Sequence, residues 1–159
     1  MKADSMRIGH GFDVHRFTEN FDISKPLKLA GRLIPEELSL EAHSDGDLVL
    51  HAVCDAMLGA MAIGDIGEHF PSNNAALAGI DSAELLERVL QLADKNQFRL
   101  VNVDVTVIAQ VPKLSPYRYE LRDSLSSLLQ MDSDRVNLRP LLPNSLVILA
   151  VKKGWPVTL

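Results

Sequence analysis

The apolar run from Leu48 to Ile63 constrains the fold more than any other part of the chain. Its polar interruptions are His51 and Asp55, and it is too short to cross a bilayer, which requires roughly 20 apolar residues. The segment Ser44-Asp45-Gly46-Asp47, directly before it, contains several side chains that are typical of helix N-caps. The sequence therefore predicts a helix that begins at this segment, reaches about Ile63 and is ended by Gly64 to Gly67.

The segments on either side of this helix are predicted to be extended or irregular. Arg7 to Phe17 indicates a first strand with functional residues at its end, and residues 27–30 and 32–34 flank Gly31 as the strands of a short hairpin would. After the helix, Glu68 to Gly79 contains the turn residues Pro71-Ser72-Asn73-Asn74, which predict a loop.

Two further helices and two strands are predicted in the second half of the chain. Asp81 and Glu84 resemble a capping box at the start of one helix, and Ser115-Pro116 indicates an N-cap and a first-turn proline at the start of the other. Residues 101–107 alternate between apolar and polar side chains, as a half-buried strand does, and Arg135 to Arg139 is a second strand candidate. The apolar positions with helical spacing are Leu85, Leu86, Val89, Leu90 and Ala93 in the first helix and Leu121, Leu125, Leu128 and Leu129 in the second.

Length and element order predict an α+β fold. The 159 residues suit one domain with its own core. Strands followed by helices favour a single sheet with helices packed on one face, in a ferredoxin-like arrangement. We take residues 6–159 as this single domain. Met6 resembles a second translation start, so residues 1–5 are expected to be a disordered extension.

Composition excludes several classes of partner and compartment. The net charge of −5 argues against a nucleic-acid surface. The single cysteine, Cys54, rules out an internal disulfide, fits a reducing compartment and is expected to be a small buried hydrophobe. The N-terminus, Met1 to Met6, has no apolar core of the kind that a signal peptide needs. We therefore expect a cytoplasmic protein that binds neither nucleic acid nor membranes.

Asp13 and His15 are the first candidates for chemistry, and they lie in the segment Gly9-His10-Gly11-Phe12-Asp13-Val14-His15. In an extended segment, residues i and i+2 share a face. Asp13 and His15 would therefore point the same way, and His10 would point the other way. Carboxylate and imidazole groups are ligands that hold a catalytic zinc and leave its fourth position open.

His51, inside the apolar helix, is a third candidate ligand. A buried imidazole needs polar partners, and a metal is one way to provide them. The alternative is that His51 hydrogen-bonds to Asp47 or Asp55, which lie one helical turn away on either side. The spacing of Asp13, His15 and His51 leaves both interpretations open.

Three segments are candidates for binding an anion, and each has a simpler explanation. His43-Ser44 lies just before a helix N-terminus, where backbone N–H groups favour a phosphate, but Ser44 or Asp45 could simply cap the helix. Gly64-Asp65-Ile66-Gly67 permits close backbone approach, and a helix C-cap explains it equally well. Lys113 follows a strand and could meet a phosphate, although an exposed lysine is the default.

Taken together, these segments resemble the 2-C-methyl-D-erythritol 2,4-cyclodiphosphate synthase family in their order and spacing. The resemblance covers about Met6 to Asn137 and is specific, because several long motifs agree. The motifs are Gly9-His10-Gly11-Phe12-Asp13-Val14-His15, Ala42-His43-Ser44-Asp45-Gly46-Asp47, Gly64-Asp65-Ile66-Gly67, Phe70-Pro71, Asp81-Ser82, Asn102-Val103-Asp104 and Ala109-Gln110-Val111-Pro112-Lys113.

The resemblance implies a homotrimer of the non-mevalonate isoprenoid pathway with active sites between subunits. The family cyclises a cytidine diphosphate-linked substrate, 4-diphosphocytidyl-2-C-methyl-D-erythritol 2-phosphate. The 2-phosphate attacks the β-phosphate, and CMP leaves. By similarity, Asp13, His15 and His51 bind zinc, and His43 is the catalytic residue that orients or stabilises the reacting phosphates. A further ligand of such a trimer is an isoprenoid diphosphate in its central cavity.

The same resemblance assigns the substrate-binding residues. Around the metal and the phosphates they are Asp13, Val14, His15, His43 and Ser44, and around the methylerythritol they are Asp65, Ile66, Gly67, Phe70, Pro71, Ser72, Asn73 and Asn74. The cytidine and its phosphate are assigned to Ala109, Gln110, Val111, Pro112, Lys113, Leu114 and Ser115 of a neighbouring subunit. Relatives often carry acidic residues where this chain has Ser72, Asn73 and Asn74, which is a mild change in a variable loop.

The C-terminal segment, residues 138–159, departs from the family pattern. After Val136-Asn137 the family continues with a basic residue, Ala-Thr-Thr-Thr-Glu and a Gly-aromatic-x-Gly-Arg segment. The threonines and the glutamate serve the diphosphate and a second divalent ion, usually Mg²⁺. This chain instead reads Leu138-Arg139-Pro140-Leu141-Leu142-Pro143-Asn144. The usual glutamate ligand of Mg²⁺ is therefore absent, and those roles cannot be carried over.

The degeneracy of the genetic code suggests a frameshift as the cause. Permitted codons for Arg139 to Asn144 include AGG CCA CTA CTA CCG AAC. The same bases in another frame contain GCC ACT ACT ACC GAA, which encodes Ala-Thr-Thr-Thr-Glu. Continued to Leu159, the second frame can encode ATTTEQLGYIGRKEGLACHA, the missing family segment. Our hypothesis is that one nucleotide was lost near Leu138, in the gene or in its recorded sequence.

Three functions are compatible with these observations. The first is the cyclising synthase. The second is a trimeric protein that binds metal and isoprenoid diphosphate without turnover, because it lacks the Thr-Glu segment. The third is a zinc hydrolase that releases phosphate to water.

Overall fold

The computed structural model describes residues 6–71, 73–74 and 79–142. In chain order, its strands and helices are β1 (Lys28–Leu29), β2 (Arg32–Leu33), α1 (Leu48–Met61), α2 (Ile66–His69), α3 (Ser82–Lys95), β3 (Val103–Ile108), α4 (Arg118–Leu128) and β4 (Val136–Leu141). Short 3₁₀ turns at Ser115–Tyr117 and Ser133–Arg135 precede α4 and β4. The predicted extension, residues 1–5, and the C-terminal segment beyond residue 142 lie outside the described residues.

Helix α1 lies at the centre of the core, as the apolar run predicts. Asp47 is its N-cap and accepts a hydrogen bond from the Leu50 N–H group at 3.2 Å, and Ala62, with φ 59°, ends it. Cys54 is completely buried, and burial raises the pKa of its thiol to about 12, which confirms it as a buried hydrophobe. The buried side chains of the helix are Val49, Leu50, Val53, Cys54, Met57, Leu58 and Met61.

The predicted hairpin is confirmed, and one carboxylate attaches it to α1. β1 and β2 pair antiparallel, and Gly31 turns the chain with φ 77°. The completely buried Asp47 carboxylate accepts hydrogen bonds from the N–H groups of Ala30 at 2.9 Å and Gly31 at 2.6 Å. Burial raises the pKa of this carboxyl, while its backbone N–H donors act against the rise. The same side chain therefore caps α1 and fixes the hairpin against its first turn.

Helix α3 begins after Asp81, as predicted, but without a complete capping box. The Asp81 side chain accepts a hydrogen bond from the Ala83 N–H group at 2.8 Å. Glu84 instead pairs with Arg88 one turn along the helix. The helix packs against α1, and its buried side chains are Ser82, Leu85, Leu86, Val89 and Ala93. Leu90 is partly buried and packs against the core.

Strands β3 and β4 pair parallel, and α4 is the crossover between them. The register places Val103 opposite Val136 and Ile108 opposite Leu141. Both predicted strands are confirmed, with their bounds one or two residues further along the chain than the sequence pattern gave. A parallel pair needs a long crossover connection, which α4 supplies.

The start of α4 differs from its prediction. Ser115 is not an N-cap, because it is the first residue of a 3₁₀ turn that has no side-chain cap. Pro116 lies within that turn, and α4 itself begins at Arg118. The buried side chains of this part of the chain include Leu121, Leu125 and Leu129, whereas Leu128 is partly buried against the core.

The predicted first strand, residues 7–17, is wrong. Within the described part of the chain, this segment makes one isolated bridge, between Phe17 and Leu40. The reason is that its backbone lies against helix α1, and no strand among the described residues pairs with it. A Cβ atom at Gly11 would lie 1.8 Å from the carbonyl oxygen of Ala52 in α1.

The segment is nevertheless extended, and its side chains alternate between two faces. From residue 11 to residue 16, half-buried and exposed side chains alternate. Asp13 and His15 share the more buried face, while His10 is exposed. The period-2 prediction for these residues is therefore confirmed, although the hydrogen-bonded strand is absent.

The architecture is a small mixed domain of helices and short sheets. Among the described residues, the strands form two separate two-stranded sheets, β1–β2 and β3–β4, and not the single sheet that was expected. The ferredoxin-like arrangement and the single-domain bounds stay predictions. None of the helices in the described ranges is both long and apolar enough to cross a membrane.

We expect Gly11→Ala to destabilise the protein by roughly 3 kcal/mol, because the new Cβ would overlap backbone atoms of α1 that cannot move aside. Urea denaturation followed by circular dichroism measures the loss. The matched control is Gly59→Ala on the same helix. Outside the backbone of its own helix, its Cβ would come no closer than 4.0 Å to another heavy atom, the carbonyl oxygen of His10. This control should be neutral or stabilising by about 0.5–1 kcal/mol, and equal losses in the two variants would contradict the argument.

Candidate metal centre

Asp13 lies between two imidazole rings. Its Oδ2 atom is 2.9 Å from Nε2 of His15 and 3.0 Å from Nδ1 of His51. One ligand atom from each of the three residues lies within 4.8 Å of the others. His51 is 38 positions from Asp13 in the sequence. The contact between the extended segment and α1 therefore assembles the cluster.

Backbone groups fix the orientation of Asp13 and His15. Oδ1 of Asp13 accepts a hydrogen bond from the Val14 N–H group at 2.9 Å, which leaves Oδ2 to face the imidazoles. Nδ1 of His15 lies 2.9 Å from the carbonyl oxygen of Glu41. Since a carbonyl oxygen only accepts hydrogen bonds, Nδ1 of His15 carries a proton. In neutral His15, the lone pair is then on Nε2, which faces Asp13.

The alternative in which His51 bonds to Asp47 or Asp55 is wrong. Asp47 accepts its hydrogen bonds from backbone N–H groups in the hairpin and the first turn of α1. Asp55 accepts a hydrogen bond from the Ile66 N–H group at 2.8 Å and so positions the start of α2. His51 faces Asp13 on one side and serine hydroxyls on the other.

Two serines contact the far side of the His51 ring. The hydroxyl oxygen of Ser82 lies 2.9 Å from Nε2 of His51, and that of Ser44 lies 3.2 Å from it. Ser44 is among the site residues that the family resemblance predicts, whereas Ser82 has no predicted role. Ser82 lies in the Asp81-Ser82 motif, which was the only signal available, because no local pattern connects α3 with His51.

The Asp13 carboxyl is adapted to stay negatively charged. Burial raises its pKa, but hydrogen bonds from His15 and His51 and their positive charge outweigh burial and hold the pKa well below its usual range. The hydrogen bond to Asp13 raises the pKa of His15 above its ordinary value, against the opposing effect of burial. Asp13 is therefore ionised, as a carboxylate must be to bind a metal ion.

The donor set fits a divalent metal ion. Two imidazole nitrogens and a carboxylate oxygen converge on one point, and both imidazole nitrogens already face the same oxygen. Three such protein ligands with a fourth position open are typical of catalytic zinc sites. In each ring, the nitrogen that points away from Asp13 has a hydrogen-bond partner, as metal-binding histidines usually do.

Several other residues assigned to the phosphates and the methylerythritol are exposed or make local contacts. His43 is exposed, and its carbonyl oxygen accepts a hydrogen bond from the Gly79 N–H group at 3.3 Å. Asp65 is the N-cap of α2, where its side chain accepts a hydrogen bond from the Glu68 N–H group at 2.9 Å. Val14 is exposed on the face opposite Asp13. Ser72 lies outside the described residues.

The segment assigned to the cytidine lies at a different place in the same chain. Ala109, Leu114 and Ser115 line a shallow cavity together with Pro140 to Leu142 at the end of β4. The lining does not include any of the three candidate metal ligands. A second cavity is lined by other residues of the segment together with Phe17, Leu40 and Leu48, and it also does not include any of the three ligands.

Known sequences resemble this chain over almost its whole length. The sequence model of the YgbB family matches residues 6–154. The 2-C-methyl-D-erythritol 2,4-cyclodiphosphate synthase of Shewanella frigidimarina is 49% identical over 153 residues, which are 96% of this chain and 94% of that relative. The synthase of Shewanella denitrificans is 48% identical over 152 residues, 96% and 92% of the two chains. The family match continues past Leu138, into the C-terminal segment that lacks the family's Ala-Thr-Thr-Thr-Glu sequence.

Solved structures of the same kind superpose on this fold. A 2C-methyl-D-erythritol-2,4-cyclodiphosphate synthase has a TM-score of 0.81 at 40% identity, over 88% of this chain and 91% of its own. A CDP-bound form of such a synthase has a TM-score of 0.80 at 38% identity, with the same coverage. IspF of Plasmodium falciparum in complex with CDP has a TM-score of 0.74 at 34% identity, over 90% of this chain and 85% of its own.

We expect the Asp13–His15 pair to stabilise the metal-free protein most between the ordinary pKa values of its members, 3.8 and 6.5. A carboxyl whose pKa is lowered by folding stabilises the protein above its ordinary pKa, and this contribution is lost as the pH falls through the folded value. A histidine whose pKa is raised stabilises below its ordinary pKa, and this contribution is lost as the pH rises through the folded value. Asp13→Asn should therefore cost more at pH 5 than at pH 8, by about 1 kcal/mol.

Chemical denaturation of chelator-treated protein at the two pH values measures this difference. Asp104→Asn is the control, because Asp104 pairs with Arg139 at 2.6 Å and arginine stays charged throughout. The loss in the control should be the same at both pH values. A loss for Asp13→Asn that is equal at pH 5 and pH 8, or larger at pH 8, would refute the assignment of the pair.

Proposed function

The chain belongs to the YgbB family, and we propose that it is a phosphorus–oxygen lyase of non-mevalonate isoprenoid biosynthesis. Its reaction cyclises 4-diphosphocytidyl-2-C-methyl-D-erythritol 2-phosphate to 2-C-methyl-D-erythritol 2,4-cyclodiphosphate and releases CMP. The observation that carries this function is the Asp13 carboxylate between His15 and His51. The cluster occurs in a chain that is 49% identical to a relative named as that synthase.

The reaction needs no nucleophilic side chain. An oxygen of the substrate's 2-phosphate attacks the β-phosphorus, and a new P–O bond forms. The bond between the β-phosphorus and the bridging oxygen breaks, and its electron pair leaves with CMP. The protein therefore has two tasks, which are to hold the two phosphates in line and to stabilise the charge that builds up on them.

Zinc is the metal we assign to Asp13, His15 and His51, because two imidazoles and one carboxylate are typical zinc ligands. When bound, zinc supplies positive charge beside the β-phosphate and polarises its phosphorus. The low pKa of Asp13 keeps its carboxylate ionised and ready to bind a cation. Asp13 and His15 hold their positions through backbone hydrogen bonds, so little reorganisation is needed.

His43 and Ser44 are assigned to the reacting phosphates. Ser44 supports this role because its hydroxyl oxygen lies 3.2 Å from Nε2 of His51. His43 is the adjacent residue and is exposed, so its imidazole is accessible as a hydrogen-bond donor. We assign the methylerythritol to residues 65–67 and 70–74, which follow α1 in the chain.

We assign the cytidine and its phosphate to residues 109–115 of a neighbouring subunit in a homotrimer. Two observations support this assignment. Structures of similar proteins contain CDP, and the cavities that this segment lines do not include the candidate metal ligands of its own chain. A site built from two subunits would bring the two parts together. We place the enzyme in the cytoplasm.

The second candidate function is metal and isoprenoid-diphosphate binding without turnover. The observation that favours it is the sequence Arg139-Pro140-Leu141-Leu142 in place of the Thr-Glu segment that serves the diphosphate and Mg²⁺. Release of CMP from the cytidyl substrate distinguishes the two functions. Bound zinc without CMP release would favour the binding protein, and an open product in place of the cyclic diphosphate would favour a hydrolase.

His51→Ala should abolish stoichiometric zinc binding and reduce CMP release by more than about 100-fold, because a metal supplies several kcal/mol of transition-state stabilisation. Metal analysis of the purified protein and phosphorus NMR of the product measure the two effects. The matched control is His10→Ala, an exposed histidine on the opposite face of the segment that carries Asp13. The control should keep both its zinc and its activity. Zinc retained at full stoichiometry in His51→Ala would refute the ligand assignment.

Replacing residues 139–159 with ATTTEQLGYIGRKEGLACHA should raise CMP release by at least about 10-fold, since it restores groups that stabilise the diphosphate. Comparing the two chains at saturating zinc and Mg²⁺ measures the gain. Unchanged or lower activity would show that the restored segment has no catalytic role here.

Sequencing the gene across codons 136 to 145 decides whether the frame change lies in the gene. An intact mass that matches the 159 residues would exclude a recording error.

A further inference from the structure

Ser82 joins the metal cluster to a group of charged residues that the mechanism does not use. Ser82 is the first residue of α3 and is completely buried. Its hydroxyl oxygen lies 2.9 Å from Nε2 of His51, on the side of the ring that points away from Asp13. Nδ1 of the same ring faces Asp13 at 3.0 Å. The two nitrogens of His51 therefore have partners of different chemistry.

The Ser82 hydroxyl has only one proton, and it donates that proton to the Asp45 carboxylate. Toward His51, the hydroxyl oxygen can then only accept a hydrogen bond. For the 2.9 Å contact with Ser82 to be a hydrogen bond, Nε2 of His51 has to be its donor, and in neutral His51 the lone pair then lies on Nδ1. Nδ1 is the nitrogen that faces Asp13 and the candidate metal position.

Lys28 keeps Asp45 in the state that this arrangement needs. Nζ of Lys28 lies 3.0 Å from Oδ2 of Asp45 and 2.7 Å from Oδ2 of Asp81. Burial raises the pKa of Asp45, but the hydrogen bonds from Ser82 and Lys28 outweigh burial and lower it. Asp81 is also the N-cap of α3, the helix that carries Ser82. Lys28, Asp45 and Asp81 therefore fix both the direction of the Ser82 hydroxyl proton and the start of α3.

The other histidine of the cluster is fixed in a comparable way by a backbone group. The Glu41 carbonyl oxygen accepts a hydrogen bond from Nδ1 of His15, which leaves Nε2 free to bind the metal. The two rings thus use opposite nitrogens, and each is set by an acceptor on its far side. The Ser44 hydroxyl oxygen is a second neighbour of the His51 ring and lies farther from Nε2, at 3.2 Å. This oxygen also accepts a hydrogen bond from the Gly46 N–H group.

We propose that Ser82 is a positioning residue for the metal site: it accepts the Nε2 proton of His51 and holds the imidazole with Nδ1 toward Asp13 and His15. Asp45 acts through Ser82, because it takes the hydroxyl proton that could otherwise be donated to Nε2. The proposal rests on the metal site of the proposed function. It makes α3 part of the active site, although no side chain of α3 is a metal ligand or contacts the substrate in the assignment above.

Ser82→Ala should weaken zinc binding by 10- to 100-fold, the range typical of lost outer-shell partners. Competition with a chromophoric chelator measures the dissociation constant for zinc. The visible spectrum of the cobalt-substituted protein gives a second measurement, because rotation of the His51 ring changes the ligand field. A Ser82 that served only to stabilise the packing of α3 on α1 would change the unfolding midpoint of the metal-free protein and leave both measurements unchanged.

Ser126→Ala is the matched control. Ser126 is also buried, and its hydroxyl donates a hydrogen bond to the Met131 carbonyl oxygen at 2.6 Å in another part of the fold. The control should lose stability without any change in zinc affinity. Equal zinc affinity in wild type and Ser82→Ala, or an equal loss in Ser126→Ala, would overturn the proposal.

Asp45→Asn tests the same arrangement without touching Ser82, and it replaces the first variant if Ser82→Ala does not fold. It should weaken zinc binding, because an amide no longer secures the direction of the hydroxyl proton. In the double variant, Asp45→Asn should add less than twofold to the effect of Ser82→Ala, since both act through one hydrogen bond. Fully multiplied effects would overturn the proposal. Wild-type protein that binds no zinc would instead refute the metal site itself, so the two failures are distinguishable.

Discussion

The contact between the Gly9–Gly11 segment and helix α1 is the constraint on which the site depends. The backbone of the segment lies so close to the helix that a Cβ at Gly9 would be 1.7 Å from the Ala56 carbonyl oxygen. The helix presents small side chains along this line, and its own backbone forms the contact surface. Asp13 and His15 are carried on the continuation of this segment, so their distance from His51 is set by this packing.

A second anchor fixes the other end of the same helix. The fully buried Asp47 carboxylate accepts hydrogen bonds from N–H groups of the hairpin and of the first turn of α1. Each of these N–H groups would cost about 1–3 kcal/mol if it were buried without an acceptor. His51 lies one turn beyond Asp47. The orientation of its ring is therefore tied both to the core and to the hairpin.

The chemistry of the site depends on hydrogen bonds that fix the orientation of the carboxylate and of both imidazole rings. One carboxylate oxygen faces two imidazoles, and its other oxygen is taken by the Val14 N–H group. A carbonyl oxygen and a hydroxyl group on the outside select which imidazole nitrogen faces inward. The result is a preorganised centre with an ionised carboxylate, which suits a cation and, through that cation, a diphosphate. Preorganisation of this kind is what phosphoryl-transfer catalysis requires of a protein.

The sequence by itself determined most of the features that depend on local periodicity, and the start of α3 at its cap. The apolar run predicted α1, the alternation of residues 101–107 predicted β3, and Asp81 predicted the start of α3. The shared face of Asp13 and His15 was also correct, because a period of two is a property of the extended backbone. The motifs predicted the ligand triad and the family. For residues 7–17, by contrast, the sequence wrongly predicted a strand. Sequence periodicity does not reveal whether another strand is present to pair with them.

The tertiary structure alone decided which partners these residues meet. Asp47 and Asp55 are the nearest carboxylates to His51 along the helix, yet both bind backbone N–H groups, and Asp13 approaches from a distant segment. Ser82 reaches His51 only because α3 packs on α1. Hydrogen bonds select partners by distance in space, and sequence spacing encodes that distance only within a helix or strand. The elements were therefore predictable from the chain, while the connections that make them a site were not.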